Sequence, residues 1–288
     1  MKKIIAMFAA STLLGVSGVA LSAQQSSAVQ ADIDAFQGYF MKKFPNLELN
    51  DFAHGAYAMS EDKLMQFENV MEMPPHEDSV DKGEDMWNTA FKNGKTYASC
   101  FNVPVNKVRV QFPRWNAEAG KVETLEAMLN KCRVDNGEKP LKYKKGAMAF
   151  LSAYLTTAAI GEKINVIVPE GDEKALAVYN RGKKHFYTKR GQLNFSCADC
   201  HVTGAGVRVR GNTLSPALGH LTHFPVWRGK WARASGNGFG TIQRRYGGCN
   251  KQVRAKPFKA QKGEYDALEY FHTAMSNGME ISGTEYRE

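Results

Sequence analysis

Cysteine and histidine carry the most specific chemistry in this sequence. Cys197-Ala198-Asp199-Cys200-His201 sets two thiols three residues apart, with an imidazole directly after the second. At that spacing two sulfurs can form thioethers with the two vinyl groups of one porphyrin while the histidine reaches its iron. The motif therefore reads as a c-type haem attachment site. A structural zinc site needs four closed ligands, and no second Cys-x-x-Cys or histidine pair at finger spacing is present. A thioredoxin-type redox pair would need a βαβ setting, which the flanking pattern lacks.

Three further cysteines, Cys100, Cys132 and Cys249, have no motif of their own. Their compartment follows from the first 23 residues. Lys2 and Lys3 precede an apolar stretch from Ile4 to Leu14, and Ala20-Leu21-Ser22-Ala23 offers small residues for cleavage. This order predicts a removed secretory leader and a periplasmic chain, with a retained anchor as the alternative. No other segment is long and apolar enough to span a bilayer, so the mature chain should have no transmembrane segment. In an oxidising compartment an odd number of cysteines leaves one thiol in need of a chemical role.

The elements that must position these residues come in two copies. Residues 124–164 align without a gap on residues 241–281, at an offset of 117, with 11 of 41 positions identical. Cys132 falls on Cys249, Lys139-Pro140 on Lys256-Pro257, Gly146 on Gly263 and Gly161 on Gly278. Such self-similarity reads as a duplicated domain. Each copy should end in a core-packing helix. Ala147, Phe150, Leu151, Tyr154, Leu155 and Ala158 form one stripe before the stop signal Gly161; Leu268, Phe271 and Met275 form the other before Gly278. The copies also correspond at their starts, at a different offset, so the second carries an insertion. There Tyr97-Ala98-Ser99-Cys100-Phe101 lies over Cys197-Ala198-Asp199-Cys200-His201, and the first copy has lost one thiol and the histidine.

One covalent haem c is therefore expected, in the second copy alone. In the first copy, a Cys100–Cys132 disulfide would close about 32 residues and contribute about 3–4 kcal/mol on the loop-entropy account. Two unpaired thiols are the alternative. Cys249 is then the odd sulfur, and its correspondence with Cys132 places it near the haem, opposite His201. A buried inert thiol in the haem wall is the bland alternative. Gly247 and Gly248 remove bulk beside the sulfur, while Arg244, Arg245, Lys251 and Arg254 would lower its pKa and offer donors to an oxyanion. A solvated basic loop would account for those charges equally well. Met275, Met279, His220, His223 and His272 are the other candidates for the distal position. With Met275 or Met279 there, the chain would be a plain electron carrier.

Composition sets the outer limits. With 43% hydrophobic and 23% charged residues, the chain is globular, and about 265 residues after the leader suit two small domains. Net charge is +9, or +7 once Lys2 and Lys3 leave with the leader. An exported chain seldom meets nucleic acid, so this charge suits an acidic protein partner or an anionic small substrate, or is simply a solvated surface.

The single Cys197-Ala198-Asp199-Cys200-His201 motif, the altered first copy with its cysteine pair and the segment Arg244-Arg245-Tyr246-Gly247-Gly248-Cys249 together resemble the SoxA family. These are cytochrome c subunits of SoxAX complexes in bacterial thiosulfate oxidation. The resemblance covers nearly the whole mature chain. It implies a mainly α fold of two tandem cytochrome c-like domains, with residues 24–168 holding an N-terminal extension and a haemless domain, and residues 169–288 binding haem. It further implies covalent haem on Cys197 and Cys200, axial His201 and Cys249, a persulfide on Cys249, and substrate bound by Arg245. The partners implied are a SoxX-type cytochrome and the carrier SoxYZ, whose cysteine receives thiosulfate oxidatively. Tyr97 and Phe101 depart from two-haem members and match the single-haem branch. A periplasmic electron carrier with His/Met ligation and a haem peroxidase with an open iron are the competing readings.

Overall fold

The computed structural model describes residues 23–209 and 211–287; residues 1–22 of the expected leader lie outside them. Ten α-helices run through the described residues: α1 (Ser27–Lys43), α2 (Glu61–Glu72), α3 (Glu77–Asn88), α4 (Val105–Val108), α5 (Leu125–Asp135), α6 (Ala147–Ala158), α7 (Glu173–Tyr187), α8 (Gly229–Ser235), α9 (Ile242–Gln252) and α10 (Gly263–Ala274). Strands are two or three residues long: β1 (Arg114–Asn116), β2 (Lys121–Glu123), β3 (Arg208–Val209), β4 (Asn212–Thr213), β5 (Val226–Trp227), β6 (Phe239–Gly240) and β7 (Glu285–Tyr286). They make two hairpins and one small sheet in the order β6-β5-β7. None of the described helices is long and apolar enough to cross a membrane.

Helix starts follow local chemistry. The Thr124 hydroxyl accepts the backbone N–H of Ala127 at the head of α5, and the Asp172 carboxylate accepts that of Ala175 at the head of α7. Each satisfies one of the unpaired N–H groups of a first turn. Gly161 and Gly278, with φ of +81° and +85°, take the left-handed conformation just beyond α6 and α10.

The offset of 117 reappears in the hydrogen bonds between the copies. Gly161 N–H donates to the Ile281 carbonyl at 3.0 Å, and its counterpart Gly278 donates to Ile164 at 2.9 Å. Ile164 donates to Met279 at 2.9 Å, and its counterpart Ile281 donates to Glu162 at 2.8 Å. The bridge is centred on Lys163 and Glu280, which are each other's repeat partners. Thr124 likewise reaches Gln261, while Thr241 takes the carbonyl of Lys144, the counterpart of Gln261. Reciprocal contacts of this kind are those of a local two-fold axis. Near it, Ser152 donates to Glu126 at 3.3 Å, whereas Gln243 donates to Glu269 at 2.9 Å. The acid has changed helix and the contact has been kept. Burial pushes both carboxyls up, with Arg109 as the opposing buried cation.

Each copy also has a close helix crossing. A Cβ on Gly83 of α3 would stand 2.2 Å from the Phe150 carbonyl oxygen of α6, and one on Gly182 of α7 would stand 2.0 Å from that of Ala267 in α10. Phe150 and Ala267 are repeat partners. Only glycine permits backbones to approach so closely.

One difference from the sequence reading concerns burial. The apolar stripe expected on α6 is not its only covered side, because Ala149, Ser152, Ala153 and Thr156 are buried as well. Ala149 and Ala153 pack with Phe239, and the Thr156 hydroxyl donates to Phe224, so the second copy covers that side. The extension at residues 24–75 contributes Val29, Ile33, Phe36, Phe40 and Phe52 to the core built around α7 and α10, and none to the core around α5 and α6. Asp32 holds Lys183 and Tyr179, and the Gln37 amide donates to the carbonyls of Met275 and Asn277.

Candidate functional site

Cys197 to His201 enter a single π-helical turn, Asp199–Thr203. The Asp199 carboxylate accepts the Ser196 backbone N–H and hydroxyl at 2.8 and 2.9 Å, fixing its start. Lys43 of α1 donates to the carbonyls of Val202 and Thr203 at 2.9 and 2.8 Å, fixing its end. Wide turns of this type frequently mark functional positions.

His201 Nδ1 donates to the Ser215 carbonyl at 2.8 Å. In the neutral ring this leaves the lone pair on Nε2, the arrangement that holds a metal-binding imidazole in one tautomer and orientation. The Ser215 hydroxyl in turn bonds His220 Nε2 at 2.7 Å, and the His201 and His220 rings meet edge to face at 4.9 Å.

Cys249 is the eighth residue of α9 and lies beside His201. The segment expected to present an accessible thiol is thus helical despite Gly247 and Gly248, and a Cβ on Gly248 would meet nothing within 4 Å. Burial by itself would push the Cys249 thiol up. Arg245, His201 and Arg228 outweigh it and bring the thiol down to about 7. Its neighbours go the other way: burial and then Cys249 raise Cys197 to about 12, and the same two causes raise Cys200. Three thiols therefore lie together, and only one is acidic.

The expected ring of cations is thinned and then completed from elsewhere. Arg245, one helical turn before Cys249, faces it. Arg244 instead lies over the Trp231 ring at 4.2 Å and donates to the Phe239 carbonyl; Lys251 is exposed, and exposed Arg254 donates to Gln192 at 3.4 Å. A helix points residues i and i+4 the same way, so only Arg245 shares the face of Cys249. The second cation is Arg228, where β5 meets α8, with its guanidinium 5.5 Å from the Trp231 centroid. Burial and then Arg245 lower its pKa to about 10, and Cys249 partly offsets them. No spacing in the sequence joins Arg228 to Cys249; the nearby basic Trp-Arg segment was its only signal.

The other distal candidates are engaged. Met275 and Met279 lie in the core, 1% and 0% exposed. His220 bonds Ser215, and His223 bonds the Ala53 carbonyl at 2.9 Å. His272 Nε2 donates to Ala217 at 3.2 Å and its Nδ1 accepts the Tyr246 hydroxyl at 3.0 Å. Burial holds all three imidazoles well down, His272 to about 3. His223 is buried, and partly buried His220 packs against His201.

In the first copy Cys100 and Cys132 form a disulfide with Cα atoms 5.8 Å apart. Tyr97 and Phe101, standing where the second copy has Cys197 and His201, are 1% and 5% exposed. Tyr97 stacks on Trp87 at 5.9 Å and meets Phe91 at 4.8 Å, while Phe101 meets Phe112 at 6.1 Å. The replaced residues fill this copy with their own rings.

The residues fit a haem c: two free thiols in register, an imidazole with one oriented nitrogen, and a sulfur ligand facing it. The family profile for the SoxA/TsdA cytochrome c domain matches residues 82–164, within the first copy. Among relatives, the L-cysteine S-thiosulfotransferase subunit SoxA of Allochromatium vinosum is 46% identical over 255 residues, 88% of this chain and 88% of its own. That of Paracoccus pantotrophus is 32% identical, over 72% of this chain and 70% of its own. The crystal structure of SoxXA from P. pantotrophus superposes with a TM-score of 0.69 at 28% identity, covering 81% of this chain and 86% of that chain.

Proposed function

The chain belongs to the SoxA family of L-cysteine S-thiosulfotransferase subunits, and from that premise we propose that it couples thiosulfate oxidatively to the carrier cysteine of SoxY in SoxYZ. The observation that carries the proposal is the placement of the Cys249 thiol beside His201, Arg245 and Arg228.

The reaction joins a carrier thiol and the thiosulfate dianion into a cysteine S-thiosulfonate, releasing one proton and two electrons. Arg245 and Arg228 hold the dianion and offset the repulsion between two electron-rich sulfurs. Cys249, carrying a persulfide, holds thiosulfate covalently on its outer sulfur once two electrons are lost; attack by the carrier thiolate, across the open side of Gly248, then releases the S-thiosulfonate and restores the persulfide. Cys197 and Cys200 would attach the haem, and His201 and Cys249 would hold its iron. When bound, that group supplies the electron acceptor from which a SoxX-type cytochrome is served. Ser215 fixes the His201 ring. The SoxXA match supports the partner, and the fit of a cytochrome c profile to the copy without the motif supports two tandem cytochrome c-like domains, residues 24–168 and 169–288, with one haem in the latter. Export to the periplasm is part of the same reading.

Mass spectrometry of the mature protein should find one covalent haem, on Cys197 and Cys200, and a reductant-sensitive sulfur adduct on Cys249. Two haems, or no adduct in any preparation, would contradict this assignment. The electron-carrier reading has no comparable support, because both methionines that it needs are packed in the core.

A further inference from the structure

The corresponding sulfurs of the two copies are in different chemical states. Cys132 is the eighth residue of α5 and is bonded to Cys100 on the 3₁₀ turn Tyr97–Cys100. Cys249 is the eighth residue of α9, and the repeat places Cys200 over Cys100. Cys200 and Cys249 are nevertheless free thiols. Helices α5 and α9 each have 11 residues with the cysteine at the same position, while the turn at Cys200 is π-helical where that at Cys100 is 3₁₀, so pairing requires the Cys200 turn to move towards the form seen in the first copy.

We propose that, in the chain not yet carrying haem, Cys200 and Cys249 form the disulfide that corresponds to Cys100–Cys132. Cys197 has no sulfur counterpart, since Tyr97 occupies its place, and it packs inward against the larger core. The bond forms by exchange with a small-molecule or protein disulfide: two thiols lose two hydrogens to the oxidant, which leaves as two thiols. It occupies one of the two attachment sulfurs and the transfer sulfur together. Haem attachment then requires a dithiol to reverse the exchange, and the thioether on Cys200 afterwards leaves Cys249 without that partner. Only this consequence rests on the proposed haem site; the bond itself does not.

The test uses the full-length chain made without haem attachment and equilibrated with glutathione disulfide. Non-reducing peptide mapping should find Cys200 linked to Cys249, Cys100 still linked to Cys132, and Cys197 alkylatable. A Cys197–Cys200 link, or three alkylatable thiols, would overturn the proposal. A second measurement covers an apo chain that folds poorly. In an exporting host limited for reductant, covalent haem per chain should fall several-fold in the wild type and little in Cys249→Ser, and an equal fall in both would also overturn it. Chains that carry no covalent haem under any condition would instead defeat the haem assignment, leaving the mapped disulfide to stand or fall by itself.

Discussion

The two copies share a helix crossing and differ in what fills the space beside it. In the first, Trp87, Phe91, Tyr97, Phe101 and Phe112 occupy the interior and a disulfide ties the turn to α5. In the second, the equivalent turn presents two thiols and an imidazole, α9 brings a third thiol to it, and the segment between β3 and β6 adds Ser215, His220 and Arg228. One scaffold thus fills itself with rings where its side chains are large and gathers thiols, imidazoles and an arginine where they are polar. The difference lies in a handful of residues, since close backbone packing at Gly83 and Gly182 is common to both.

The sharpest way to break this contrast is to remove the sulfur that only the second copy uses. Cys249→Ala should lower thiosulfate coupling by at least on the order of 10³-fold, the scale on which enzymes lose a covalent nucleophile. Haem attachment, read by intact mass, should persist. The glycines test what the copies share. Gly83→Ala and Gly182→Ala each force a Cβ onto a carbonyl and should cost about 1–3 kcal/mol or more of stability, measured by denaturant unfolding. Gly182→Ala alone should also reduce the yield of attached haem. Replacing both Cys100 and Cys132 by serine should cost about 3–4 kcal/mol while leaving coupling per folded molecule intact. Arg228→Gln should raise the KM for thiosulfate roughly 10-fold, in line with about 1.5 kcal/mol or more for a hydrogen bond to a charged group. The same change should leave haem content alone.

A pH titration tests the joint between the copies. His76 at the head of α3 is buried, meets Phe239 at 5.4 Å, and has its pKa held down to about 4 by burial. The unfolded chain takes that proton near pH 6.5, so stability is full above this value and is lost as the pH falls towards 4. The loss should reach up to about 3 kcal/mol, and His76→Phe should flatten this acid limb in urea titrations.

Some of this organisation was legible in the residues. The Cys197 to His201 motif and the shared Cys132/Cys249 register depend on local spacing, and spacing survives without knowledge of the fold. Arg228 could not be found that way, because a turn and a β-pairing bring it to Cys249 from a distant part of the chain. The stacking of Arg244 on Trp231 was invisible for the same reason, which is why neighbouring cations were assigned to one site. Gly247 and Gly248 pointed to space beside the sulfur and not to a helix, and helix α9 absorbs both because its other residues, Ile242, Gln243, Tyr246 and Asn250, are anchored in the interior. The extension gave little away, since the partners of its apolar residues lie on α7 and α10.

The central proposal is that His201 and Cys249 together would hold the iron of a single haem. Electron paramagnetic resonance of the oxidised protein tests this most directly: a low-spin thiolate spectrum that disappears in Cys249→Ala is expected. A histidine–methionine spectrum, unchanged by that substitution, would contradict it.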